Sequence, residues 1–219
     1  RPLNFEKLVL LGSDSLDSAG SSSAEYIIGN VGHNRLDGAG GPDTLQGLAG
    51  DDIYIIPSPD VLILEQASGG DDTVEASVDF MLTDSDNLEN ITLAESVPGS
   101  QDHPSLLNLS AVGDNSHNTL KGNLGNNSLS GASGNDTIIG FGGKNTIHGG
   151  SGFDSILGGS GAEAIDGGDD ADVITAGAGA DVVDGGAGAD MVYGISGANT
   201  IDGGDGADSI VGGGDADVI

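Results

Sequence analysis

The 219-residue chain has no cysteine and no tryptophan, only six prolines, four phenylalanines and three tyrosines, and five basic residues against 35 acidic ones. Each shortage removes a possibility. Without cysteine there is no disulfide and no thiolate metal site, although that alone does not identify a redox compartment. So few aromatic side chains beside 41 glycines could not fill an ordinary compact core, which points to a thin, repetitive structure. A formal charge of −30 argues against nucleic acid, whose binding depends on Lys and Arg displacing counterions. No apolar run approaches the roughly 18 residues that cross a bilayer, and no basic amphipathic stretch suits an anionic lipid surface, so no transmembrane segment is expected. Arginine occurs only as Arg1 and Arg35, and His33, His103, His117 and His148 are scattered without ligand spacing. With no nucleophile motif, phosphate loop or cofactor fingerprint beside them, catalysis is not expected.

What the chain has is period. From Gly113 to Ile219 a nine-residue unit repeats twelve times without a slip, the last copy lacking only its final position. Position 1 is Gly in eleven units, Ala176 being the exception, and position 4 is Gly in nine. Position 6 is an acid in eight and Asn in the other four, and position 8 is aliphatic in all twelve, from Leu120 to Ile219. A shorter array lies upstream, in units beginning at Gly20, Gly29, Gly38 and Gly47, with Glu25, Asn34, Asp43 and Asp52 at position 6 and Ile27, Leu36, Leu45 and Tyr54 at position 8.

The unit resembles GGxGxDxUx, the calcium-binding nonapeptide of the RTX (repeats-in-toxin) family. That resemblance implies an all-β fold, a parallel β-roll in which the first six residues of a unit turn the chain and the last three form a strand, two units completing an 18-residue coil. Residue chemistry agrees, because glycine suits tight turns and an aliphatic position 8 between outward positions 7 and 9 matches strand alternation. Folding costs roughly 1–2 kcal/mol of backbone entropy per residue, and one aliphatic in nine is too little burial to offset it. Stacked acids add repulsion, which a bound cation reverses. Calcium suits the turns because it takes six or more oxygens at flexible geometry, here Asp carboxylates and glycine carbonyls.

Since units n and n+2 stack, position 6 divides into two columns. One reads Asn118, Asp136, Asp154, Asp172, Asp190, Asp208, and the other Asn127, Asn145, Glu163, Asp181, Asn199, Asp217. The first offers four successive Asp–Asp gaps and the second none, so strong calcium sites are expected along the first and weak ones at the start of the second. Metal ligands are expected at Asp136, Asp154, Asp172, Asp190 and Asp208, at Asp181 and Asp217, and at Asp43 and Asp52 of the short array. Asp and Asn beside Gly are also good turn formers in their own right, which leaves a metal-free solenoid as the alternative.

The outward positions differ between the two sides. Position 9 runs Lys121, Ile139, Leu157, Thr175, Tyr193, Val211 on one, and Ser130, His148, Asp166, Asp184, Asp202 on the other. Contiguous exposed apolar area marks a contact surface, so copies of the chain, or neighbouring modules, are expected to pack through Ile139, Leu157, Tyr193 and Val211. The acidic ladder suits solubility.

Between the arrays the period fails at Pro57 and Pro59. The expected organisation is a strand-rich end of a preceding module at 1–19, the short array at 20–55, a connecting β-solenoid without the glycine period at 56–112, and the long β-roll at 113–219. Asn4–Leu10 (NFEKLVL) resembles Asn87–Leu93 (NLENITL), and each precedes a glycine array, as if a larger module recurred. The start at Arg1 and the stop within a unit suggest a fragment. Taken with the resemblance, a calcium-binding structural module of an extracellular or cell-surface bacterial protein is expected, of surface-layer, sheath, filament or adhesin type. The alternative is the secretion and folding module of an RTX toxin or exported hydrolase.

Overall fold

The computed structural model describes residues 5–95 and 107–219; Arg1, Asn4 and His103 lie outside them. Every regular element among the described residues is a β-strand, and every pairing is parallel. The chain winds as a solenoid of about eleven coils. One wall is a continuous eleven-stranded sheet from Asp17–Ala19 to Ser209–Val211, through both arrays and the connector. The opposite wall is divided into a four-stranded sheet ending at Leu62–Ile63 and an eight-stranded sheet starting at Phe80–Met81. The break falls where the nine-residue period fails.

The register places each position 8 side chain against its equivalent 18 residues away, as in Leu120 on Ile138 and Ile138 on Ile156. These residues form the core: a single file of aliphatics between the walls, each 0–3% exposed from Leu120 to Ile201. Positions 7 and 9 face outward, which period-2 alternation requires. Strands in the long array exceed the expected three residues. Ala164–Asp169, for example, continues through positions 1–3 of the next unit, because Gly150, Gly168 and Gly186 also pair with one another between coils. Backbone hydrogen bonding needs no side-chain alternation, so such glycine segments join the sheet without a strand-like pattern.

The turns explain the glycines at two positions. At position 4, Gly179 has φ +147°, and a Cβ there would stand 1.5 Å from the Gly161 carbonyl oxygen of the preceding coil. At position 1, a Cβ on Gly131 would stand 2.2 Å from the Asp136 carboxylate and 2.5 Å from the Gly149 carbonyl of the next coil. Position 2 is also left-handed, yet Leu48 (φ 88°), Phe141 (φ 63°) and Ile195 (φ 73°) occupy it. For bulky or β-branched residues that conformation costs about 1–2 kcal/mol. Their side chains point outward, so what is lost is backbone ease rather than packing.

Candidate metal centre

Position 6 immediately precedes the strand, so its side chain is carried under the turn, and the Asp and Asn residues there are almost entirely buried, except Asp208 and Asp217 near the end of the chain. A row of interlocked hydrogen bonds holds them. The N–H of Asn118 donates to Asp136 Oδ1 at 2.7 Å, that of Asp136 to Asp154 at 2.8 Å, Asp154 to Asp172 at 2.7 Å, Asp172 to Asp190 at 2.8 Å and Asp190 to Asp208 at 3.0 Å. Each carboxylate thus satisfies the backbone of the preceding coil with one oxygen. The other oxygen, Oδ2, is buried without a hydrogen-bond partner in Asp136, Asp154, Asp172 and Asp190.

Asparagine occupies the same position in two ways: Asn118 and Asn127 accept an N–H of their own turn, from Asp114 and Asn123, at 2.8 Å each, whereas Asn145 and Asn199 turn the amide nitrogen into the turn. In Asn145 the amide nitrogen lies on the side facing Gly140, donating to the carbonyls of Gly140 at 3.2 Å and Gly142 at 3.0 Å. Asn199 likewise donates to the Gly212 carbonyl at 3.3 Å. The turns of Asn145 and Asn199, in which position 2 (Phe141, Ile195) is left-handed as Ala132 is in the turn of Asp136, therefore offer acceptors and ask for a positive group. An amide NH2 supplies one; an ionised Asp cannot, so its Oδ2 and the turn carbonyls form a set of oxygens in need of a cation. That donor set fits calcium, which binds carboxylates and backbone carbonyls together. Among the described residues no three His, Cys, Asp or Glu side chains converge as a metal cluster, so a cation held here would need the turn carbonyls as well.

The ionisation of the column agrees. Burial, with the neighbouring Asp154 and Asp114 charges, pushes Asp136 up to about 7. Burial likewise lifts Asp172 to about 7, helped by Asp154 and Asp190, and Asp154 is raised by burial. Stacked acids whose affinity for protons is raised in this way, two of them to near neutrality, lack a counter-charge.

Of the expected ligands, Asp136, Asp154, Asp172, Asp190 and Asp208 stand in this one column, with Asp208 half-buried at its end. Asp181 stands in the other, its N–H donating to Asn199 at 3.0 Å while its own Oδ1 accepts from Glu163 at 2.9 Å. Asp217, half-buried, accepts from Asn199 at 2.9 Å. Glu163 Oε2 and Asp181 Oδ2 are the unpartnered oxygens of this second column, and burial and Asp181 push Glu163 up to about 7. Asp43 and Asp52 belong to different walls. Asp43 accepts from Glu25 at 2.8 Å and from Gly41 at 3.2 Å and so leaves no orphan, whereas Asp52 Oδ2 has no partner.

The column also continues through the connector. The N–H of Asp52 donates to Asp72 Oδ1 at 2.7 Å, and that of Asp72 to Glu89 at 2.8 Å. Asp72 is fully buried, its Oδ2 is unpartnered, and burial with the charges of Glu65, Asp52 and Glu89 pushes it up to about 7. Asp72 and Glu89 escape the period because they follow the residue beneath them by 20 and 17 positions instead of 18. In the sequence, Gly69-Gly70-Asp71-Asp72 reads equally as one further calcium turn or as a plain turn, and it is the signal that points to Asp72.

Compared with known families, the chain matches the model described as the RTX calcium-binding nonapeptide repeat (4 copies), at residues 20–55, 112–140, 121–156, 139–174, 157–192 and 193–219. No curated protein matches it.

Proposed function

The chain belongs to the RTX calcium-binding nonapeptide repeat family, and from that premise we propose that it is a structural module, without catalysis of its own, whose roll is completed by calcium at the position 6 columns. The observation that carries this reading is the set of buried, unpartnered carboxylate oxygens stacked coil upon coil in turns lined by carbonyls. If four such sites were each held at ten times their dissociation constant, binding would stabilise the roll by about 1.4 kcal/mol per site, roughly 6 kcal/mol together, which rivals the stability of a whole domain. Far-ultraviolet circular dichroism of the calcium-stripped chain at neutral pH tests it. Calcium is expected to produce a cooperative gain of β-structure, and magnesium, which dehydrates reluctantly and demands a regular octahedron, is not. A β-spectrum already complete without calcium would refute the reading.

In this proposal the parent protein works outside the cell, at a bacterial surface, as a sheath, filament, surface layer or adhesin, and its modules pack side by side. The support is the outer face of the long sheet. Ile139, Leu157, Thr175, Tyr193 and Val211 follow one another in register, flanked by Val173 and Met191, and this stretch carries no acid in a chain with 35. Leu157, Val173, Met191 and Val211 are 43–51% exposed. The opposite face carries Asp166, Asp184 and Asp202 in register, with Val182 exposed beside them, so the longer run without an acid lies on the first face. Tyr193→Asp is expected to weaken self-association at least tenfold in sedimentation velocity while leaving the calcium-dependent spectrum intact; unchanged association would refute the packing. A folding module attached to an exported toxin or hydrolase is the competing reading of the same calcium sites.

A further inference from the structure

The connector holds a second arrangement of oxygens that the nonapeptide does not account for. Between Asp52 and Asp72 the coil contains two residues more than the repeat, and they bring Glu65 against the stack. Where a repeat unit would meet the next coil's carbonyl, as Gly29 meets that of Gly47, Gly47 instead meets side chains: Asp52 Oδ2 and the Tyr54 hydroxyl. Tyr54 is the one aromatic residue at a core position of the arrays, and it is fully buried. Its hydroxyl donates to Glu65 Oε1 at 2.5 Å and accepts the Gly47 N–H at 2.8 Å, and the same N–H reaches Glu65 Oε1 at 3.1 Å. Glu65 is thereby clamped by one oxygen. The other turns back toward its own loop, where the Gln66 N–H donates to it at 3.2 Å.

That loop closes around Gly69. A Cβ at Gly69 would stand 2.1 Å from Glu65 Oε2, 3.0 Å from Asp72 Oδ2 and 3.2 Å from the Gln66 carbonyl. Three oxygens, from two carboxylates and one carbonyl, thus converge on the side of Gly69 that the missing side chain leaves open. Asp72 is 0% exposed, and its Oδ2 has no hydrogen-bond partner. The charges acting on Asp72 are those of Glu65, Asp52 and Glu89, all of one sign. Gln66, Ala67 and Ser68 are exposed, so water can complete a coordination shell from one side.

We propose that Glu65–Asp72 is a calcium site of its own, a local loop outside the nonapeptide arrays, with Glu65 Oε2, Asp72 Oδ2 and the Gln66 carbonyl as its protein ligands and Tyr54 as the residue that positions Glu65. Two carboxylate oxygens, a carbonyl and water in an irregular, half-open loop suit calcium, with its 2.3–2.6 Å bonds and flexible geometry, better than magnesium. The site sits where the second wall of the solenoid is interrupted, and an ion there would tie the loop to the continuous wall.

The proposal rests on the calcium reading above, and the test separates the two. Bound calcium is counted by equilibrium dialysis on the whole chain for the wild type, Glu65→Gln and Gly69→Ala. Gly69→Ala keeps both carboxylates and fills the space between them. Each variant is expected to bind one calcium fewer than the wild type, or that one at least tenfold more weakly, with an unchanged β-spectrum in saturating calcium. Terbium gives a second readout: in a Tyr26→Phe, Tyr193→Phe background, Tyr54 is the remaining tyrosine, and Glu65→Gln is expected to reduce its sensitised terbium emission at least fivefold. A wild type that binds calcium and two variants that bind the same number as tightly, with terbium emission retained, would overturn the loop site alone. A wild type that binds none would overturn it together with the calcium reading.

Discussion

Lowering the pH from 8 to 5 is expected to fold the calcium-free chain. In the folded roll Asp72, Asp136, Glu163 and Asp172 are held at about 7 and Asp52 at about 6, burial being the largest cause in each. In the unfolded chain the same groups titrate near the ordinary 3.9 for Asp and 4.3 for Glu. Between those limits the folded state binds more protons than the unfolded one, so stability grows as pH falls. The contribution is complete below about pH 4 and is lost as pH rises through 6 to 7. Protons and calcium therefore act on the same oxygens. With saturating calcium the pH dependence should flatten, and near pH 6.5 calcium binding should release protons into a weakly buffered solution. Thermal unfolding of a dialysed, calcium-stripped sample at pH 5 and pH 8 decides the matter. Equal disorder at both values would show that burial of these acids does not govern folding. Falling net charge also favours compaction at low pH, and Asp172→Asn separates the two causes: it removes one titrating group, as Asn145 already does in the other column, and should reduce the dependence far more than loss of a single charge from 30.

Gly179→Ala is expected to destabilise the calcium-loaded roll by about 3–5 kcal/mol, at the upper end for a single substitution. Alanine at φ +147° is strained whatever its surroundings, and the new Cβ would meet the Gly161 carbonyl at 1.5 Å. That oxygen belongs to the backbone of a coil held by parallel hydrogen bonds on both sides, so relief requires separating two coils in mid-stack. The controls are glycines of the same turns with room around them. Gly40 has nothing within 4 Å of its added Cβ, and Gly214 only the Ile195 carbonyl at 3.9 Å. Alanine at either should change stability by under about 1 kcal/mol. Chemical denaturation in saturating calcium compares the three; a Gly179→Ala midpoint equal to that of Gly214→Ala would contradict the close stacking of position 4.

The long array was legible almost residue by residue, because one spacing governs the turn, the core and the acid column alike. Position 8 announces the core, and position 6 announces which side chains stack, as Asp136 on Asp154 shows. The connector was less legible for a physical reason. A coil can take in extra residues at its turns while keeping strand register, so Asp72 pairs with Asp52 across 20 residues and leaves no period to detect. The first coil of the solenoid was also hidden: Asp17–Ala19 puts Ser18, not an aliphatic, opposite Leu36. Glu65 could not be placed at all without coordinates, since its role depends on Tyr54 reaching across the core to hold it. Nor does the repeat reveal that one carboxylate oxygen is spent on the preceding coil's N–H, which leaves a single free oxygen on Asp136, Asp154, Asp172 and Asp190.

The continuous wall has a mechanical consequence. Eleven parallel strands stacked about 4.8 Å apart make a rod roughly 50 Å long. Each 18-residue coil, drawn out, would span about 60 Å. Tension along the rod would therefore pay out more than ten times a coil's stacked length whenever one coil lets go. Because every coil is fastened to its neighbours by the same position 6 contacts, the force at which this spring yields would be set by the calcium concentration around it.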